Sequence, residues 1–513
     1  MSCSEVGGGN GDGGDRSGDV RRAGRGWIGR GQSGRGRAGG VIVQGIVSSR
    51  AAEGPLSEVP PDGLRKIWLW AVLIAVGGFL FGFDTGVISG ALLFIRTDFG
   101  LNSFEQSSLV SVLVLGAMVG AMGAGRIADR IGRRKILGLE GAVFLIGTLI
   151  AVLSNGYVAL LLARLVLGLA VGASSATVPI YLSEISPKEV RGRTLTLNQL
   201  MITIGILAAY LVNLAFSGAG NWRAMIGFGA APALVIVVAA LWVLPESAAW
   251  LLTRGRDGEA RRLIASVTNG ATADRLIERY KSRGTPDSGE GWRSLLAANV
   301  RPALVVGLAL AAIQQFGGIN TIIYYAPTII ERTGLSASNS IFYAIAIGVI
   351  NLVMTIIAIR VIDRVGRRPL LLFSLAAMAV TMAVLGLSFV AGWTSGLSLV
   401  FMVLYIAGYA VGLGPVFWTL IGEVFPPRAH AAGSSASTAV NWASNFVVSL
   451  VFLPIAGLIG EGETFWVFAA ISFAGLLFVA RYVPETKGRD ARGVDADLQS
   501  RFGRPASTPD GTG

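Results

Sequence analysis

Twelve long apolar runs separated by short polar loops limit this chain more than any other feature. Each run can cross a hydrocarbon core of about 30 Å at about 1.5 Å per helical residue. They fall near 68–95, 104–125, 136–154, 157–182, 194–216, 223–244, 302–330, 340–359, 370–391, 397–422, 431–459 and 464–482. Only 14% of the residues are charged and 52% are hydrophobic, whereas a soluble domain carries about a quarter charged residues. Beyond the first sixty residues the glycines lie inside these runs, where small side chains let membrane helices approach closely. The expectation is an all-α membrane protein with twelve transmembrane helices.

The net charge of +12 invites a nucleic-acid reading. The basic residues cluster in alternate loops instead, which the positive-inside rule explains. One set of loops holds Arg126, Arg130, Arg133, Arg134 and Lys135, then Lys188, Arg191 and Arg193, then Arg360, Arg364, Arg367 and Arg368. The segment 245–301 adds Arg254, Arg256, Arg261 and Arg262, while the opposite loops offer Arg96, Arg223 and Arg332. Both termini and the 245–301 segment are therefore expected in the cytoplasm, with the protein in the cell (inner) membrane. No nucleic-acid partner is expected, and the lipid bilayer is the surrounding medium. Cys3 is the one cysteine and His430 the one histidine, so Cys- or His-based metal sites and disulfide frameworks are excluded.

The expected organisation is a disordered Gly/Arg-rich tail over 1–62, a six-helix half over 63–244, a cytoplasmic linker over 245–301, a second six-helix half over 302–484 and a tail over 485–513. The linker holds a helix-like stretch at 258–281. An internal repeat marks the halves. Asp129-Arg130-Ile131-Gly132-Arg133-Arg134 returns as Asp363-Arg364-Val365-Gly366-Arg367-Arg368, an offset of 234. Glu184 returns as Glu423, and Pro245-Glu246-Ser247 as Pro484-Glu485-Thr486, both at an offset of 239. Parallel repeats of this kind place a substrate site at their interface near the midplane.

Asp84 lies inside the first run. A charge at the bilayer centre costs about 2.5–3.5 kcal/mol, so it needs a partner or a function. Arg164 in the fourth run falls at similar depth in the outer half. The pair reads either as a switch that loads and releases a proton or as a static ion pair locking two helices.

An ordered set of motifs resembles the sugar porter branch of the major facilitator superfamily. They are GGFLFGFDTGVISGAL, GRIADRIGRRK, RLVLGLAVGASSATVPIYLSEISPKEVRGR, NQL, PES, QQFGGINTIIYYAP, DRVGRR, GPVFW and PETKG, spread from Trp68 to Lys487. The resemblance implies the major facilitator fold, two six-helix pseudo-repeats and alternating access between rocking halves. It also implies a proton-coupled importer of a monosaccharide or cyclitol, with Asp84 and Arg164 in proton coupling. No enzymatic activity and no cofactor are implied, and a monomer is expected.

Sugar hydroxyls both donate and accept, as Gln and Asn do, and an aromatic face covers the apolar face of a sugar ring. By match to the motifs, Gln199, Gln314, Gln315, Asn320, Trp418 and Asn441 are binding candidates, followed by Asn351 and Asn445. The alternative for these amides is helix–helix glue. Tyr324 and Tyr325 are read as an outer gate where the seventh run can bend before Pro327, or as interfacial anchors. Asp129, Arg133, Glu184, Asp363, Arg367 and Glu423 are read as gating networks that, in the resembled family, latch the outward-facing state. Plain topogenic charge is the alternative.

The chain departs from the family at Ala248-Ala249 and at His430-Ala431, where Pro-Arg and Arg-Gly are expected; a looser outward latch should follow, with Arg428 as a partial substitute. His430 is read as a solvated interfacial side chain. Rival functions are a passive facilitator of the same fold, a drug exporter and a transporter-like sugar sensor.

Overall fold

The computed structural model describes residues 55–56, 58–282, 291–393, 395–426, 429–489 and 491–503. Among them there is no strand. This is what hydrocarbon demands, because a helix satisfies all its backbone polar groups within the segment. Twelve helices are long and apolar enough to span a membrane. Spans 1 to 6 are Pro61–Phe99, Ser103–Ile131, Arg133–Leu153, Tyr157–Ile185, Lys188–Ser217 and Trp222–Val243. Spans 7 to 12 are Arg301–Glu331, Ala337–Val365, Arg367–Val390, Ser395–Glu423, His430–Ile459 and Glu461–Tyr482.

Span ends follow local chemistry. Span 1 starts with Pro at its first position, where a missing N–H costs nothing, and stops at Gly100, which takes φ 63°. Asn102 and Glu105 form a reciprocal capping box at the start of span 2. The repeated D-R-x-G-R-R motif gains a physical reason here. Gly132 and Gly366 take φ 102° and 109°, so each makes the sharp corner between one span and the next.

Glycine also sets the helix pairs of the first half. A Cβ on Gly82 would lie 1.9 Å from the Ile202 carbonyl oxygen, and one on Gly172 1.9 Å from that of Ala117. Spans 1 and 5, and spans 2 and 4, therefore touch backbone to backbone. Between the halves, span 2 packs on span 11, span 5 on span 8, and span 1 on the second part of span 7.

Two spans are broken. Span 7 divides at Gly317-Gly318, with Gly318 at φ 95°, and span 10 divides at Gly412. The expected bend before Pro327 is corrected by this: Pro327 lies inside the continuous helix Ile319–Glu331, and the chain turns where only glycine fits comfortably. The freed Gly317 carbonyl accepts a hydrogen bond of 2.7 Å from the Tyr405 hydroxyl.

At the end of the bundle carrying the basic loops, here called the basic end, the linker forms three helices, Ala248–Thr253, Asp257–Val267 and Gly270–Ser282. The expected single stretch at 258–281 is thus two helices, interrupted where the Asn269 side chain accepts from the Thr272 N–H. Arg261 hydrogen-bonds Asp274 at 2.6 Å and holds that carboxyl below its ordinary range. Most of the segment expected as a disordered tail lies outside the described residues. Its last part packs: Leu56 is buried against Ile264 and Leu276, and Glu58 pairs with Arg275 and Arg279. Past span 12, Ala491–Arg501 is a helix whose Gln499 donates to the Asn299 carbonyl.

Candidate functional site

Asp84 and Arg164 meet inside the first half. Arg164 Nη1 donates to Asp84 Oδ1 at 2.8 Å, and the two residues are 2% and 1% exposed. Arg164 Nε also donates to the Leu109 carbonyl, while Asp84 Oδ2 has no partner. A buried pair of this kind owes its stability to both members: removing one leaves an uncompensated charge at about 3–5 kcal/mol.

A cavity of about 620 Å³ lies between the halves. Gln199, Gln314, Gln315, Asn320, Asn351, Trp418, Asn441 and Asn445 all line it. All eight amide and indole candidates therefore share one chamber. Four amides are chained. Asn320 donates to Gln315 at 2.7 Å, Gln315 to Asn441 at 3.0 Å, and Asn441 to Gln314 at 2.6 Å. Gln314 ends the chain on the Leu413 and Gly414 carbonyls beside the break in span 10. Both helix breaks thus serve the chamber: one turns span 7 between Gln315 and Asn320, the other supplies the anchoring carbonyls. Trp418 stands edge-on to Phe417, with centroids 4.9 Å apart.

The chamber reaches Arg126 and Asp129 at the basic end. Cross-half contacts close the other end. Arg96 of span 1 pairs with Glu331 of span 7, and the Tyr210 hydroxyl donates to the Ile323 carbonyl at 3.0 Å. Tyr324 lines the chamber and accepts from Asn445 at 3.5 Å. Tyr325 turns away, donates to the Ser449 carbonyl at 2.9 Å and packs on Phe452. Neighbours on a helix point about 100° apart, so the two tyrosines do not face the chamber together.

At the basic end Arg133 pairs with Asp129 and Glu184, both at 2.9 Å. Arg367 pairs with Asp363 at 3.4 Å and with Glu423 at 2.9 Å. Each network joins helices of one half. Glu246 and Glu485 complete them by accepting the backbone N–H of Arg133 and Arg367 at the starts of spans 3 and 9. Sequence reasoning noticed their motifs but not this capping; the first-turn N–H groups of two helices starting on a glycine corner were the available signal.

His430 is only 8% exposed and bonds the Gly422 carbonyl at 2.9 Å, so the expectation of a solvated side chain is corrected. It sits at the first position of span 11, folded under the end of span 10. Arg428, considered as a substitute for the missing arginine, lies outside the described residues. The sequence reading also missed Trp442, which lines the chamber beside Phe81, and Glu140, a buried carboxyl in span 3.

Two six-helix halves of parallel repeat, enclosing an amide-bearing chamber that reaches the basic end and is bridged by cross-half contacts at the other, define a multi-pass membrane transporter of the major facilitator fold. The chain belongs to the sugar (and other) transporter family, whose model matches residues 70–498. It is 38% identical over 440 residues to the D-xylose transporter of Levilactobacillus brevis, covering 84% of this chain and 96% of that one. It is 37% identical over 434 residues to the galactose-proton symporter of Escherichia coli K12, covering 83% and 93%. The inward open conformation of the xylose transporter XylE from E. coli superposes with a TM-score of 0.73 at 27% identity, covering 84% of this chain and 99% of that one.

Proposed function

We propose that this chain imports a monosaccharide or cyclitol together with a proton, by alternating access, as a monomer in the cell membrane. The basic end faces the cytoplasm in this reading, which the bias of Arg and Lys toward that end supports. The chamber then stands open inward. The observation that carries the proposal is the Asp84–Arg164 pair, buried in the same bundle that encloses the amide chamber. The names of the relatives, a galactose-proton symporter among them, agree with it.

The roles follow from chemistry. Gln314, Gln315, Asn320 and Asn441 exchange their mutual hydrogen bonds for bonds to sugar hydroxyls, with Gln199, Asn351 and Asn445 at the margins and Trp418 against the ring. Each exchanged bond contributes about 0.5–1.5 kcal/mol net. A handful of them gives affinities near the millimolar-to-micromolar range, between about −4 and −8 kcal/mol, weak enough for release.

A proton reaching Asp84 Oδ2 cancels the charge that balances Arg164. The guanidinium then leans on the Leu109 carbonyl of span 2, and the contact between spans 1 and 4 loosens. Tyr324 gates the outer side with Tyr325 anchored behind it on span 11, and the Arg133 and Arg367 networks rebuild across the halves when the basic end closes.

Proteoliposome transport tests this. Sugar addition should alkalinise the outer medium, and a sugar panel in competition should rank the substrates. Uptake with no proton movement would leave a passive facilitator.

A further inference from the structure

Among the described residues, the Asp84–Arg164 pair leaves one buried carboxyl without a role. Glu140 lies in span 3 and is 5% exposed. It stands seven residues past Arg133, so about 10 Å in from the basic end of that helix. Asp84 lies in the opposite half of the bilayer depth, so the first half of the bundle carries two carboxyls at two levels.

Among the described residues no cation pairs with Glu140. From span 4 it meets Thr177, and Tyr181 one turn further on spends its hydroxyl on the Pro245 carbonyl. From span 1, Gly77 lies against Leu137 of span 3 and against Ser174 and Val178 of span 4, and Asp84 two turns further on is paired with Arg164. Span 6 presents Ile236, Val237 and Ala240 to the flanking glycines of span 3. On span 3 itself, Arg133 is held by Glu184, and Arg134 by the Ala240 and Leu241 carbonyls. Lys135 points outward and is exposed.

Hydrogen-bond counting then favours the neutral acid. Thr177 Oγ1 lies 2.7 Å from Glu140 Oε1 and 3.1 Å from the Ala173 carbonyl oxygen. A hydroxyl has one proton, and both of these neighbours are acceptors when Glu140 is ionised. With a proton on Glu140 Oε1 the chain closes: the acid donates to Thr177, and Thr177 donates to Ala173. Glu140 Oε2 has no partner, which a neutral acid tolerates far better than a carboxylate does in an apolar core.

Two more buried polar groups lie where spans 4 and 5 pack on span 1. Ser174 Oγ and Asn198 Oδ1 are buried without partners, and they press against Gly77 and Gly78 of span 1. Their chain neighbours Ser175 and Gln199 line the chamber.

We propose that Glu140 is a second proton-binding site: a neutral carboxylic acid that holds its proton against Thr177 while the chamber is open at the basic end, and exchanges it with solvent during the cycle. Only a proton moves, from the carboxyl to water and back. The inference stands apart from the sugar reading, because its test needs no sugar.

Infrared difference spectra of the reconstituted full chain provide the test. Wild type should show a protonated-carboxyl carbonyl band that is lost in Glu140→Gln and kept in Asp84→Asn. The band should shift in Thr177→Val, where the acceptor is gone, and should downshift in D2O. Gln keeps a donor toward Thr177, so Glu140→Gln mimics the loaded form, and Thr177→Val probes the same bond should that variant fold poorly. Loss of carboxylate bands instead, in Glu140→Gln, overturns the proposal. So does a band that stays unshifted in D2O, which would make Glu140 a sealed structural acid.

Discussion

In spans 1 to 6 the buried polar groups include Asp84, Glu140 and Arg164; in spans 7 to 12 no Asp, Glu, Lys or Arg is buried among the described residues, and the amides Gln314, Gln315, Asn351, Asn441 and Asn445 dominate. The halves share a helix plan and the same glycine corners at Gly132 and Gly366, yet their interiors differ in kind. A charge in hydrocarbon costs about 2.5–3.5 kcal/mol unless paired, and it changes partner when it changes protonation. Amides satisfy one another and keep that arrangement at any pH. Placing the buried carboxyls and the buried guanidinium in one half and most of the chamber's amides in the other separates the part that carries charge from the part that holds a neutral ligand.

The largest test of that separation is at Asp84. Asp84→Asn should abolish uphill accumulation while sugar exchange persists, and the ratio of internal to external sugar at steady state reads it. Arg164→Ala should also destabilise the fold by about 3–5 kcal/mol, seen in thermal unfolding, because Asp84 stays buried without its cation. If Asp84→Asn still concentrates sugar, Asp84 is not the residue that couples transport to protons.

Next in size is the amide chain. Gln314→Ala or Asn441→Ala should weaken sugar binding by about 1–3 kcal/mol, or about 5- to 150-fold in Kd, with the proton-to-sugar ratio unchanged. A changed ratio with intact affinity would reverse the assignment of the halves. Gly318→Ala should cost about 1–2 kcal/mol, since a side chain at φ 95° is strained and its Cβ would lie 2.8 Å from Phe468. The midpoint of thermal unfolding should fall and the sugar Kd should rise together, because the turn positions Gln315 and Asn320.

The smallest effect belongs to the contact that joins the halves at the closed end. Arg96 and Glu331 are 25% and 21% exposed, so their pair contributes about 0.5–1 kcal/mol. Arg96→Glu should shift the chain modestly away from the form open at the basic end, and adding Glu331→Arg should restore it. With Cys3→Ser as background and Ala121→Cys in the chamber wall, labelling rate from the basic side reports the shift. No recovery in the double variant would show that packing, not charge, closes that end.

Much of this was legible in residue order. Hydrocarbon accepts only backbone that satisfies itself, so twelve apolar runs meant twelve helices, and the repeats meant two halves. One acid and one guanidinium in runs of similar depth had few other partners, so Asp84–Arg164 followed from cost alone. The motif resemblance assembled the amides that line the chamber.

Other features depend on several helices at once, and only the tertiary structure decided them. The bend of span 7 lies at Gly317-Gly318 and not before Pro327, because proline continues a helix whose neighbours fill its missing bond, whereas a positive φ ends one. Tyr325 faces away from Tyr324 because span 11 claims its hydroxyl. His430 is buried because span 10 folds over it. Glu140 drew no notice in a run of apolar residues, and its meaning came from Thr177, thirty-seven positions away in the chain, having one proton to share between two acceptors. Sequence settles what each segment must satisfy; which atoms satisfy it is set by the packing of segments distant in the chain.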